Sequence, residues 1–277
     1  MSGRKRHAAD HGPSSGAAQS RSEAKPGAPR VLILGGSADG FEVAELFVTR
    51  GFDVVTSFAG RTETRRAPAG VARVGGFGGI TGLAAYIAVE DFSIVIDATH
   101  PFASAIKLHA EKACYEVGAP LIHVMRAPWA PEPDDDWRFA PDTEAAATLT
   151  PLTAGNCFLT VGRMKIAPFA KRDDLSFVVR TVENASSEFV HPASVFIRDR
   201  GPFTLENERA LFDRHRIDCL VTANSGGHGA AAKLAVARER GMPVVLIDRP
   251  PPPEGKVVET AAQALDEAVA LIGDPLA

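Results

Sequence analysis

The chain has 277 residues, 45% of them hydrophobic, with 30 basic against 34 acidic side chains and a formal charge of -4. That length supports one large or two ordinary domains, each with its own core, and the charge argues against a surface that coats nucleic acid. The three cysteines, Cys114, Cys157 and Cys219, form no C-x-x-C pair, so no disulfide framework or zinc site is expected, and no apolar run approaches the roughly 18 residues of a membrane span.

Residues 1–29 hold almost nothing large and apolar, so a disordered tail is expected there, and the basic stretch within it lacks the apolar core of an export signal. With the cysteine usage, this suits a reducing cytoplasm. From Arg30 the pattern becomes strand, turn and helix, repeated. "RVLILG" is continuously apolar, as a parallel strand buried on both faces would be, and a helix from about Phe41 to Thr49 follows. "FDVVTSF", "ARVGG", "FSIVID" and "PLIHVMR" read as further strands, separated by the helices "ITGLAAYIAVE" and "ASAIKLHAEKACYEVG". The proline-rich and acidic stretch Ala127 to Trp137 breaks the rhythm and predicts a domain junction. Beyond it "NCFLTVG", "SFVVRTV", "ASVFIRD", "DCLVTA" and "PVVLIDRP" alternate with helical segments. The expected architecture is α/β, with two Rossmann-like or flavodoxin-like domains, mostly parallel sheets and an interdomain cleft. Residues 30–136 would form the dinucleotide-binding domain and 137–277 a second α/β domain contributing the substrate site.

The turn after the first strand nearly spells G-x-G-x-x-G, with Gly35 and Gly40 in place but Ser37 at the middle position. Serine is small enough to let a pyrophosphate approach, and its hydroxyl could donate to a phosphate; a ligand-free turn is the alternative. After the second strand come Arg61 and Thr62 in place of the acidic residue that reads a ribose 2′-hydroxyl. An arginine there suits a 2′-phosphate, hence NADPH over NADH, although Arg61, Arg65 and Arg66 also fit a solvated basic loop.

Ligands of open α/β sheets gather beyond the carboxyl ends of strands, which directs attention to three more loops. "GGFGG", Gly75, Gly76, Phe77, Gly78 and Gly79, could bring its backbone close to a ligand. Asp97, Thr99 and His100 in "IDATHPFA" could border a nicotinamide, with His100 either a proton donor near neutral pH or a turn residue before proline. "NSGGHG", from Asn224 to Gly229, could bind a carboxylate or phosphate through its amides and the Ser225 hydroxyl at a helix N-terminus, or be a plain turn. Metalloprotease, α/β-hydrolase and P-loop motifs are absent, and neither Tyr86 nor Tyr115 has the lysine four residues on that a Tyr-x-x-x-Lys dehydrogenase or epimerase would show.

Taken together, "ILGGSADG", "AGRT", "RVGGFGG", "GLAAYI", "VIDATHPFA", "RAPW", "RDRGPF", "NSGGHGAAAKL" and "PVVLIDRP" resemble the precorrin-6A reductase family of cobalamin biosynthesis, in order and spacing from about residue 30 to about 250. The resemblance implies an NADPH-dependent reductase that adds hydride to C19 of precorrin-6A and a proton to C18, giving precorrin-6B. It implies cofactor contacts at Gly35, Ser37, Ala38, Gly40, Arg61, Thr62, Gly75 to Gly79 and Thr99, and catalytic roles within Asp97, Thr99 and His100. Substrate carboxylates would meet Arg126, Arg198, Arg200, Asn224, Ser225, Gly226, Gly227 and Lys233. Implied partners are the tetrapyrrole and, transiently, neighbouring pathway enzymes, without nucleic acid, membrane or metal. Two departures stand out: Ala223 where the family pattern has a lysine before "NSGG", and "RAPW" for "RPxW", which together leave the proton donor unassigned. A cobalt-carrying substrate and a two-lobed NADPH-binding regulator are the alternatives.

Overall fold

In a computed structural model, residues 26–60, 67–151, 155–187 and 189–277 are described. They form two six-stranded sheets in which every strand pairing is parallel. The first contains β1 (Arg30–Leu34), β2 (Asp53–Phe58), β3 (Val71–Val74), β4 (Ile94–Asp97), β5 (Leu121–Val124) and β12 (Lys256–Val258), in the order β12-β5-β4-β1-β2-β3. Helices α1 (Ala38–Thr49), α2 (Ile80–Val89), α3 (Ser104–Val117) and α7 (Ala261–Ile272) cover its faces. The second contains β6 (Asp136–Ala140), β7 (Asn156–Thr160), β8 (Ser176–Thr181), β9 (Ser194–Arg198), β10 (Cys219–Ala223) and β11 (Pro243–Ile247), in the order β6-β11-β10-β7-β8-β9. Helices α4 (Thr143–Leu149), α5 (Leu205–His215) and α6 (Ala232–Glu239) accompany it.

The continuous apolar runs become strands buried on both faces. In β1, Val31 and Ile33 enter one core cluster and Leu32 and Leu34 the opposite one, each no more than 2% exposed. In the second sheet Cys157 and Leu159 take one face and Phe158 the other. All three cysteines are buried free thiols. Among the described residues no helix is long and apolar enough to cross a membrane.

The expected split into 30–136 and 137–277 needs correction. The boundary falls inside β6, and the chain returns to the first sheet at its end, where β12 pairs in register with β5, Lys256 opposite Ile122. α7 then packs Ala261, Ala264 and Ala268 into the cluster that holds Val31 and Phe47. Burial of that alanine face drives the return, and a capping box of Thr260 and Gln263 fixes the start of the helix.

This wiring creates a switch point in each sheet. β1 and β4 are neighbours whose following connections diverge, and so are β7 and β10. The carboxyl ends of these strand pairs are where open α/β sheets bind ligands.

Candidate active site

At the first switch point, Ser37 is the N-cap of α1. Its hydroxyl accepts from the Gly40 amide at 3.3 Å and donates to the Ala98 carbonyl at 2.8 Å, tying the end of β1 to the loop after β4. The hydroxyl is therefore committed within the protein, which corrects the expectation that it donates to a phosphate. Gly40 is required by packing: a Cβ there would lie 3.0 Å from the Gly35 Cα, so the helix could not sit so close to the strand. Gly36 differs, with φ of +118° and open space where a side chain would begin. Ala38 is exposed at the first turn of α1, whose leading amides have no partner within the helix.

Gly75, Gly76, Gly78 and Gly79 likewise have nothing within 4 Å of a built Cβ, and all but Gly76 have positive φ. Arg73 shapes this loop. It donates to the Gly75 carbonyl at 2.6 Å and the Gly76 carbonyl at 3.0 Å, and its guanidinium lies 4.0 Å from the centroid of Phe77. The Phe77 ring, carried over as a cofactor contact, packs against Tyr86 in the core of the lobe, so it anchors the loop. Arg61 and Thr62 lie outside the described residues.

The polar residues after β4 divide by direction. Asp97 is fully buried and accepts from the Thr99 hydroxyl at 2.6 Å, the Thr99 amide at 3.0 Å, the Lys107 ammonium at 2.8 Å and the His123 Nδ1 at 2.7 Å. Burial alone would raise its pKa, but the His123 hydrogen bond and the charge and hydrogen bond of Lys107, with Thr99, hold it at about 2. Asp97 and Thr99 thus position the loop from behind, Asp97 being fully buried. His100 faces the cleft. Crowding by surrounding protein and then the charges of Arg126, Lys165, Lys107 and Arg249 push its imidazole down to about 4. His100 is neutral near pH 7 and its Nδ1 accepts from the Phe102 amide at 3.3 Å, so it presents an Nε2–H donor, not an imidazolium acid. Of the two expected roles, a neutral imidazole bonded within its own loop fits the turn residue before proline.

Opposite lies a cavity of about 420 Å³ between the lobes, lined by His100 and Phe102 from the first and by Lys165, Arg180, Phe203 and Lys233 from the second, among others. The Lys165 ammonium sits 4.3 Å from the Phe102 ring centroid, spanning the lobes. Arg180 pairs with Glu208 through both carboxylate oxygens, both side chains being buried, and stacks 3.6 Å from the Phe203 centroid. The walls are thus aromatic and cationic together, suited to a flat apolar ring system bearing carboxylates.

The remaining expected substrate residues are placed differently. Arg126 donates to the carbonyls of Ser225 at 2.8 Å and Gly226 at 3.0 Å and pairs with Asp39. Arg249 donates to the carbonyls of Asn224 at 2.8 Å, Ser225 at 3.0 Å and Arg126 at 2.7 Å. Asn224 exchanges hydrogen bonds with the main chain of Trp129, whose indole donates to the Gly227 carbonyl at 2.9 Å. The "NSGG" turn is therefore an interlobe brace. Its glycines admit the crossing chain, since a Cβ on Gly226 would sit 2.0 Å from the Ala127 carbonyl oxygen and one on Gly227 2.6 Å from Arg126 Cδ. Nor does it open a helix, because α6 begins only at Ala232. Arg198 and Arg200 are exposed outside the cavity, whose wall takes Asp199 and Gly201 instead. Ser225 and Lys233 do line it. Sequence reasoning missed Phe102, Lys165, Arg180, Phe203 and Arg249; all but Arg180, which lies within β8, follow a strand end closely enough to be found by position.

Two parallel sheets meeting at a cleft, with a glycine turn at one switch point and a cationic, aromatic cavity at the other, define a two-lobed α/β enzyme that works between its domains. The family model described as "Precorrin-6x reductase CbiJ/CobK" matches residues 30–272. The precorrin-6A reductase of Rhodococcus erythropolis is 40% identical over 238 residues, covering 85% of this chain and 96% of the relative. That of Rhodobacter capsulatus is 37% identical over 231 residues, covering 83% and 92% respectively. A solved "CobK precorrin-6A reductase" superposes with a TM-score of 0.85 at 35% identity, over 89% of this chain and 98% of that one. The chain belongs to the precorrin-6x reductase family, and is an oxidoreductase of the cobalamin pathway.

Proposed function

We propose that this protein reduces the C18=C19 double bond of precorrin-6A to give precorrin-6B, with NADPH as the hydride source. The substrate reading rests on family membership and on relatives at 40% and 37% identity that share the name precorrin-6A reductase. The observations that carry the mechanism are the open glycine positions at Gly36, Gly75, Gly76, Gly78 and Gly79 in the first lobe and a cationic, aromatic cavity that the first lobe enters through His100 and Phe102.

The open glycines fit a dinucleotide: all five leave room for close backbone approach, beside the amides at the start of α1. When bound, NADPH supplies the hydride. Arg73 holds the carbonyls of Gly75 and Gly76, and Asp97 fixes the loop that brings His100 to the cavity. The neutral His100 orients a reacting ring through its Nε2–H. Phe102 and Phe203 supply faces for the macrocycle, while Lys165 and Ser225 meet its acetate and propionate groups, so a protein of net charge -4 still offers a locally basic site. Hydride transfer depends on this orientation more than on any side-chain acid. The three buried thiols suit a cytoplasmic setting, where transient contact with neighbouring enzymes of the pathway belongs to the same proposal.

Selectivity for NADPH is assigned to Arg61. Arg61→Ala is expected to raise KM for NADPH roughly ten- to a hundredfold, the worth of one charge-assisted phosphate contact, and to leave KM for NADH nearly unchanged. Steady-state kinetics with both cofactors checks this; equal effects on the two would remove the assignment.

A further inference from the structure

Reduction of a C=C bond needs a proton as well as a hydride, and the groups around the cavity can be sorted by whether they can give one. His100 is neutral near pH 7. Arg180 is bound through both Glu208 oxygens, and guanidinium does not release protons in this range. Lys165 is seated on the Phe102 ring and is only half-buried.

Lys233 is different. It lies in the first turn of α6 and is only 4% exposed, yet it lines the cavity. Among the described residues its ammonium makes no hydrogen bond; its nearest described partner is the face of Trp129, with Nζ 5.2 Å from the ring centroid. Glu208, the carboxylate that acts on it, is already held by Arg180. The side chain is thus almost entirely packed away from solvent yet lines the cavity with no carboxylate of its own to hold, which leaves its N–H groups available to a bound ring.

We propose that the Lys233 ammonium delivers the proton that completes the reduction, an assignment that rests on the reductase reading above. Hydride addition at C19 breaks the C18=C19 π bond and leaves the electron pair at C18. The reduced nicotinamide is the electron source and ends as NADP+. A C18–H bond forms as one Lys233 N–H bond breaks, and the amine regains its proton from water. Burial first, and then the Arg180 charge, lower the Lys233 pKa against the opposing pull of Glu208, to about 7, where both protonation states are accessible. The charged or titratable groups around it are Arg180 from β8, Asp199 beyond β9, Lys165 and His100, which line the cavity with it, and Glu208 from α5.

Two measurements test this. In the full chain without ligands, the 13Cε resonance of Lys233, assigned by its loss in Lys233→Met, is expected to titrate near neutrality; a midpoint at the ordinary lysine value of 10.5 would overturn the proposal. Lys233→Arg keeps the cation but withholds the proton. With precorrin-6A and NADPH it is expected to lower kcat about a hundredfold or more, in the range of general acid catalysis, with KM changed only a few-fold. A raised KM with unchanged kcat would make Lys233 a carboxylate anchor and sink the proposal. If the variant does not fold, the titration decides. Wild-type protein that fails to turn over precorrin-6A would defeat the reductase reading itself, an outcome distinct from the failure of Lys233→Arg alone.

Discussion

Asp97→Asn is expected to lower the unfolding free energy by about 3–5 kcal/mol, the range for removing one partner of a buried ion pair. The carboxylate takes four hydrogen bonds from Thr99, Lys107 and His123, and Lys107 and His123 are 5% and 0% exposed. An asparagine cannot neutralise Lys107, and His123 already has a buried Nε2 without a hydrogen-bond partner. The same group sets an acid limit. Held at about 2 in the fold against 3.8 ordinarily, Asp97 contributes stability that is fully present above pH 3.8 and is lost as the pH falls through the folded value. That contribution is about 2 kcal/mol. Urea unfolding of both proteins between neutral pH and pH 2 checks this: the wild type should show the acid loss and Asp97→Asn a flatter profile. An unchanged midpoint at neutral pH would contradict the account of the buried cluster.

Gly226→Ala is expected to disrupt the interlobe brace. Gly226 has φ of +66°, where an alanine costs about 1–2 kcal/mol. The added Cβ would also lie 2.0 Å from the Ala127 carbonyl oxygen and 2.5 Å from Arg249 Nη2, so the turn must move away from both. Arg126 and Arg249 hold the Ser225 carbonyl from either side, and displacement of the turn breaks both contacts. A total loss of about 3 kcal/mol or more is expected, with wider separation of the lobes. Gly229→Ala is the comparison, because nothing lies within 4 Å of its Cβ; it should change stability by less than about 0.5 kcal/mol. Thermal unfolding reads the stabilities and small-angle scattering the lobe separation. Equal behaviour of the two variants would show that the turn carries no brace.

Much of the fold is legible in the sequence because parallel strands buried on both faces leave continuous apolar runs. β12 is not, since "KVV" is three residues long and its membership in the first sheet follows from a crossover that no local pattern records. The glycines of "NSGG" do signal a close approach, but a sequence cannot say what approaches; here it is Ala127 and Arg126, not an anion. At the end of β4, the polar types of Asp97, Thr99 and His100 are legible, whereas their directions depend on Lys107 and His123 gathering behind the strand. Arg180 and Glu208 find each other across 28 residues, so their pairing and the cavity wall it builds are visible only in three dimensions.

Anaerobic absorbance of the protein mixed with precorrin-6A and NADPH, following the macrocycle and reduced-nicotinamide bands together, distinguishes a reductase from a protein that merely holds the nucleotide. Both bands are expected to change one for one, and much more slowly with NADH. NADPH bound without change in either band would contradict the reductase reading, leaving a protein that holds the nucleotide without giving up its hydride to this ring.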